Sequence, residues 1–358
     1  MCQLSGKWLG RHFLLVFGAG LTLAGFALFF SDGERAGRIY FETIYKVYRI
    51  SWDGLTAWIP FSLAWGWMAA LLLWLVMGML RISRQDRKGK GWRVLRGMFL
   101  VAVVHLAWFY WVWGFNYARP LSWDAPAFDS GAFYKELQTQ IDRTVEARDE
   151  LCHFPEFFGR KSDVQEIRDA VSASMQKMGL KPPGSPTCRA LFPSGILLLF
   201  ATSGVYLPFT GECLFDPGLH PLSQAFTIAH EFGHAFGVTD EGACNFIAYS
   251  ACSRSPRPDL RYVAEFNYLR YLLAECRRRS PGRCQELQAA LPAELRADLE
   301  ALRRRHATFP APFEWLRSAL YSAFLKANGQ HEGERAYHGI VALVIHYRQN
   351  DSEGKGSQ

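Results

Sequence analysis

A chain of 358 residues with 49% apolar side chains is long enough for one sizeable soluble domain and accessory segments. Its formal net charge of +7 does not indicate a nucleic-acid partner. Residues 81–96 alone carry Arg81, Arg84, Arg87, Lys88, Lys90, Arg93 and Arg96 against the single acid Asp86, so nearly all of the excess sits in one short segment between apolar runs.

Taken in chain order, residues 12–30 form a nearly uncharged apolar run, long enough to cross a bilayer at about 1.5 Å per helical residue. Residues 58–80 form a second run, and residues 98–115 a third, edged by Trp108, Trp111 and Trp113 as in an interfacial belt. The first run is longer than the apolar core of a signal peptide and no small-x-small site follows it, so it reads as a retained span. The basic segment 81–97 is expected in the cytoplasm, together with Lys7 and Arg11, which puts residues 31–55 and everything after Pro120 on the outer side. Arg35, Arg38, Lys46 and Arg49 in the outer segment run against that rule. The reading is a multi-pass membrane region over residues 1–119, with the lipid bilayer as a partner, and an extracytoplasmic domain over residues 120–358.

Residues 118–127 read as the linker leaving the membrane. Amphipathic helices are predicted over 134–151 and 162–178, followed by the breaker Lys181-Pro182-Pro183-Gly184. The apolar run 195–200 is predicted to be a buried strand, and 206–215 to be extended chain in which Pro208 marks a sheet edge. Further helices are predicted over 222–236, 241–253, 259–279, 285–305, 313–327 and 335–347. The expected fold is an α-helical membrane region followed by an α+β domain, mostly helical with a small sheet. Cys152, Cys188, Cys213, Cys244, Cys252, Cys276 and Cys284 fall in this domain. Cys276 and Cys284 flank the turn Ser280-Pro281-Gly282 and are the best candidates for a disulfide, and the lack of C-x-x-C argues against a cysteine zinc site.

The chemistry concentrates at His230-Glu231-Phe232-Gly233-His234. Histidines four apart on a helix project from one face and can share a metal, while Glu231 can reach a water held there without taking a metal position. The apolar flank Leu222, Ala225, Phe226, Ile228 and Ala229 makes three ionisable groups costly to bury unless a metal or partners compensate. A catalytic zinc needs a third protein ligand and an open position. Asp240 stands where metzincins place a third histidine, but no methionine follows Met178 to supply the turn beneath the metal. Glu241 opens the next helix with Asn245 four residues on, one to bind the metal and the other to orient a ligand, and Asp240 is then the helix N-cap. Glu241 is the favoured ligand and Asp240 the alternative.

These residues, from Thr227 through His234, then Gly237, Glu241 and Asn245-Phe246-Ile247-Ala248-Tyr249, resemble gluzincin-type membrane peptidases, including the CAAX prenyl proteases. The chain resembles more closely a bacterial family, domain of unknown function 3810, whose members look like three-span proteins with an external gluzincin-like domain. The resemblance extends to Trp113-Gly114-Phe115-Asn116-Tyr117, to Tyr206-Leu207-Pro208-Phe209-Thr210-Gly211-Glu212, and to Tyr321, Leu325-Lys326-Ala327-Asn328-Gly329-Gln330, Gly333 and Ala336-Tyr337-His338-Gly339. It departs at Ala243-Cys244, where the family tends to have Glu-Ala.

The resemblance implies a gluzincin-like zincin domain in a protein of the inner (plasma) membrane, with one Zn2+ on His230, His234 and Glu241. Glu231 is then expected to activate a zinc-bound water for peptide-bond hydrolysis of a peptide or protein substrate. The extended run would pair with substrate backbone, with Tyr206, Pro208, Phe209 and Thr210 in contact and Glu212 receiving a substrate cation. Tyr337, His338 and Tyr321 are the candidate oxyanion donors. Two other classes fit the same motif: a non-catalytic, zinc-stabilised membrane scaffold that binds peptides, and a zinc amidase acting on a cell-wall crosslink.

Overall fold

The computed structural model describes residues 18, 20, 22–25, 27, 32–83, 89–119, 121, 130–151, 161–328 and 336–355, with the side chains of 81–83, 90, 161–162, 327, 336–338 and 349–355 left out. The predicted first span, 12–30, and Cys152 fall largely or wholly outside them. The chain divides into two compact units, one of Met1–Pro120 with Leu207–Gly211, the other of Leu121–Tyr206 with Glu212–Gln358.

In the first unit, residues read as an outer loop are helical instead. Asp32 caps α1 (Gly33–Tyr40) by accepting the Arg35 N–H at 3.3 Å, and a π-helical turn, Phe41–Tyr45, carries the helix into α2 (Lys46–Thr56). Apolar residues interleaved with the charges bury one face, Tyr40, Phe41 and Tyr45, without forming a uniformly apolar run in the sequence. Gly37 is required where α1 crosses Ala118, since a Cβ there would come within 2.7 Å of the Ala118 carbonyl carbon. On α2, the fully buried Arg49 donates to Asp53 and, at 2.7 Å, to the Gly211 carbonyl.

Two long helices follow, α3 (Leu63–Ser83) and α4 (Lys90–Val112). Leu63–Leu80 and Gly91–Val112 are each long and apolar enough to cross a membrane. Their large side chains lie open rather than in a core, as at Leu72 (63% exposed), Met79 (67%) and Phe99 (66%). Since α4 begins at Lys90, most of the basic segment is helical. A 3-10 turn, Gly114–Ala118, ends this part.

In the second unit, α5 (Ser130–Leu151) and α6 (Lys161–Lys177) precede the sheet. The sheet has three short strands in the order β1-β3-β2: β1 (Cys188–Ala190), β2 (Gly204–Leu207) and β3 (Glu212–Phe215). β1 runs parallel to β3, with Cys188 opposite Cys213. β2 and β3 form a hairpin, and β2 is an edge. Helices α7 (Pro221–Ala235), α8 (Glu241–Ser253) and α9 (Pro258–Arg279) form the core, where Ile228, Phe232, Ile247, Phe266 and Tyr268 are fully buried. Side chains of this size contribute about 1.5–3 kcal/mol each by leaving water. Then come α10 (Pro281–Ala289), α11 (Ala293–Ala307), α12 (Glu314–Ala327) and α13 (Ala336–Lys355). Arg348 ties α13 to the core through Gln140 at 2.8 Å and Glu265 at 3.3 Å, and through Glu136 and Tyr249.

Three expectations are corrected here. Residues 195–200 are not a strand but a turn ending in the 3-10 helix Leu198–Phe200, because Asp216 gathers the N–H groups of Gly195 (2.7 Å), Leu197 (2.9 Å) and Leu198 (3.3 Å). The helix predicted over 285–305 is two helices, broken at Pro292, whose missing N–H cannot continue the ladder. Cys276 and Cys284 are free thiols, buried and hydrogen-bonded to each other, rather than a disulfide.

Candidate metal centre

Helix α7 begins with His220 as N-cap and Pro221 in the first turn, where a missing N–H costs nothing. It stops in a Schellman motif. Gly237, at φ 89°, donates its N–H to the His234 carbonyl (2.9 Å), and Val238 donates to that of Gly233 (3.1 Å). The same turn aims the Val238 carbonyl back at the helix, where it takes His234 Nδ1 at 2.8 Å. A carbonyl only accepts, so His234 carries its proton on Nδ1 and presents a lone pair at Nε2.

His230 is set in the same way from the neighbouring helix. Its Nδ1 lies 2.8 Å from Asn245 Oδ1, which also accepts the Tyr271 hydroxyl at 3.0 Å. Asp240 caps α8 by accepting the Ala243 N–H at 2.6 Å. Glu241, the first residue of that helix, reaches back with Oε2 3.1 Å from His230 Nε2 and Oε1 3.6 Å from His234 Nε2. The Tyr321 hydroxyl, from α12, holds Glu241 Oε1 at 2.5 Å.

Ligand atoms of His230, His234 and Glu241 therefore lie within 4.8 Å of one another. The two Nε2 atoms stand 3.1 Å apart. Two nitrogens on one tetrahedral zinc, each about 2.05 Å from it, would be about 3.3 Å apart. With both Nδ1 atoms protonated, two lone pairs and a carboxylate converge on one point, an arrangement that repels itself unless a cation or a proton lies between them. The donor set fits a divalent ion. Asp240 is committed to its cap, and Glu241 is the carboxylate in the cluster.

Burial pushes the Glu231 carboxyl above the usual carboxylate range, opposed by His230 and His234 and helped by Glu241. Its carboxylate accepts the backbone N–H of Tyr206, so edge strand β2 passes directly over it. Gly204 permits that approach, because a Cβ there would lie 2.8 Å from Glu231 Oε1. Burial also opposes ionisation of Glu241, but the two histidines outweigh it and hold its carboxyl well below the usual range. Desolvation alone would lower His234; Cys244 and then the facing Glu241 carboxylate reverse this and raise it. Cys244 Sγ lies 3.4 Å from His234 Nδ1, and burial pushes that thiol up to about 11, so it stays neutral near pH 7.

The other predicted site residues are distributed differently. Pro208, Phe209 and Thr210 belong to the first unit, where Phe209 stacks on Trp67 at 4.7 Å and the carbonyls of Pro208 and Thr210 accept from Tyr48 (3.3 Å) and Trp52 (2.7 Å). Glu212 is buried in an ion pair with Arg189 at 2.8 Å and does not offer a free charge to a ligand. The side chains of Tyr337 and His338 lie outside the described residues; Gly339, beside them on α13, sits so close to α8 that a Cβ there would come within 3.3 Å of the Gly242 Cα. Spacing missed the contributions of Tyr271 and Val238, and nothing in the local sequence of either marks them.

Fold and site define a mostly helical protein whose described residues include a small three-stranded sheet, two helices of membrane-crossing length and a partly buried His-His-Glu cluster. The chain belongs to the family described as "Protein of unknown function (DUF3810)", which it matches over residues 40–345. No curated protein and no solved structure matches it.

Proposed function

We propose that this protein is a membrane-anchored zinc metallopeptidase of the gluzincin-like zincin type, with its second unit outside the cytoplasm. The observation that carries the reading is the convergence of His230, His234 and Glu241 beside the buried, uncoordinated carboxylate of Glu231. The apolar, open surfaces of α3 and α4 support anchoring in the inner membrane, since exposing such surface to water would be costly. The basic residues of 81–96, from the end of α3 into the start of α4, support a cytoplasmic location for that end of both helices and a multi-pass arrangement.

His230 and His234 would hold one zinc ion through Nε2, and Glu241 through its carboxylate. When bound, zinc supplies a Lewis acid that polarises a carbonyl and lowers the pKa of water toward about 7. Glu231 takes the proton of the attacking water on its carboxylate and delivers it to the departing amine. The Tyr206 N–H fixes the orientation of the carboxylate, and β2, an edge strand, is the element beside which an extended peptide would lie.

A purely structural metal site has no use for a base next to it, and replacing that base separates the two uses. In purified Glu231→Gln the metal content should equal wild type, while cleavage of a broad peptide library falls by about 10²–10⁴. Equal cleavage by both forms would overturn the mechanism, and retained metal with no cleavage by either would favour a scaffold.

A further inference from the structure

A cavity of about 450 Å³ lies where α9 meets α10 and α11. Arg270, Arg277, Arg303 and His306 line it, with Leu273 and Leu302 supplying an apolar wall, and no aspartate or glutamate is among the lining residues. That size is typical of small-molecule sites, which reach several hundred Å³.

Arg270 decides how the cavity is read. Four other arginines of this unit that are drawn in from solvent have carboxylate partners: Arg148 with Asp298 (2.8 Å), Arg189 with Glu212 (2.8 Å), Arg257 with Asp163 and Asp259, and Arg348 with Glu136 and Glu265. Arg270 donates instead to a neutral amide, Asn267 Oδ1, at 2.7 Å. Asn267 is itself fixed, its Nδ2 donating to the carbonyls of Leu222 (2.7 Å) and Val263 (2.8 Å). The guanidinium is thus held in position with its charge uncompensated. Burial pulls its proton affinity down, and the nearby His306 is lowered first by burial and then by Arg270. Arg277 likewise has no carboxylate partner among the described residues, and Arg303 comes only within 4.0 Å of Glu300. Exposed arginines alone would be an ordinary solvated face. A recessed, pre-positioned guanidinium between them is not, because a desolvated charge is costly unless something neutralises it.

We infer that the cleft between α9, α10 and α11 binds a phosphate-bearing anionic ligand, which Arg270, Arg277 and Arg303 grip through charge-assisted hydrogen bonds. Guanidinium groups favour phosphate because their planar forks match its oxygens pairwise. The apolar wall of Leu273 and Leu302 suits a ligand with a hydrocarbon portion beside the phosphate. A lipid headgroup and a free phosphate ester share this chemistry.

Titration calorimetry on the full-length chain in neutral detergent, with glycerol 3-phosphate as the probe, tests the site. Repeating it in His234→Ala removes any contribution of anions at the metal centre, so the result stands whether or not that centre holds zinc. Saturable binding is expected in both backgrounds, weakened about tenfold or more in Arg270→Gln and in the double variant Arg277→Ala/Arg303→Ala. The double variant changes only exposed side chains and carries the test if Arg270→Gln does not fold. Nanodiscs distinguish the sources. Probe affinity that falls in wild-type discs containing phosphatidylglycerol, relative to phosphatidylcholine alone, while the double variant shows no such difference, identifies a lipid headgroup. Unchanged affinity identifies a free phosphate ester. Absence of saturable binding, or equal affinity in wild type and the double variant, overturns the proposal.

Discussion

Both histidines of the cluster owe their orientation to acceptors outside the helix that carries them, the Val238 carbonyl for His234 and Asn245 for His230. Partners of this kind typically change metal affinity about 10–100-fold when removed. Tyr321→Phe deletes the hydroxyl on Glu241, so zinc affinity measured against a competing chelator should fall by about tenfold with the melting temperature of the metal-free protein little changed. Asp240→Ala should behave in the opposite way, losing about 1 kcal/mol of stability with the helix cap while keeping its metal affinity. A reversal of those two results would make Asp240 the ligand. At this scale the sequence was informative wherever chemistry follows from spacing along a single helix or across one tight turn. His230 and His234 are one helical turn apart, and a short connection sets Asp240 and Glu241 at the head of α8. It was silent on Tyr271, which reaches Asn245 from a helix 26 residues away, and it misplaced Glu212, whose partner Arg189 lies 23 residues back across the sheet. Side chains meeting across the fold leave no periodic trace.

Helices with a long apolar stripe were legible as elements, and short or bent ones were not. β1 is three residues long, too short for alternation to register, and the apolar run 195–200 was captured by a single buried carboxylate, Asp216. The hairpin tip reads as extended chain at a sheet edge, open to substrate, yet Phe209 is packed among Trp67, His105 and Trp108. Two substitutions probe elements directly. Arg189→Met strands the Glu212 carboxylate between β1 and β3 and should cost about 3–5 kcal/mol in denaturant unfolding, whereas Arg189→Met with Glu212→Leu should recover most of that loss. Leu72→Asp places a charge near the middle of α3, on a side chain 63% exposed. In a membrane span this costs about 2.5–3.5 kcal/mol and should reduce the fraction inserted in isolated membranes, while on a solvated helix it would change stability by less than about 0.5 kcal/mol.

At the scale of the whole molecule, the division into one unit of Met1–Pro120 with Leu207–Gly211 and a second, largely helical unit places the His-His-Glu cluster entirely in the second. Its ligands come from two consecutive helices joined by the Schellman turn, while Tyr321 and Tyr271 brace it from two others. Such a cluster forms only when several distant segments have folded, so metal binding at it would be coupled to folding of this unit. The most direct test of the account is therefore metal stoichiometry, by plasma mass spectrometry, of the full chain purified in detergent. The account predicts about one zinc per chain in wild type and in Glu231→Gln, and almost none in His230→Ala, His234→Ala or Glu241→Ala. Equal zinc in all five proteins, or none in wild type after purification in zinc-supplemented buffer, would contradict it.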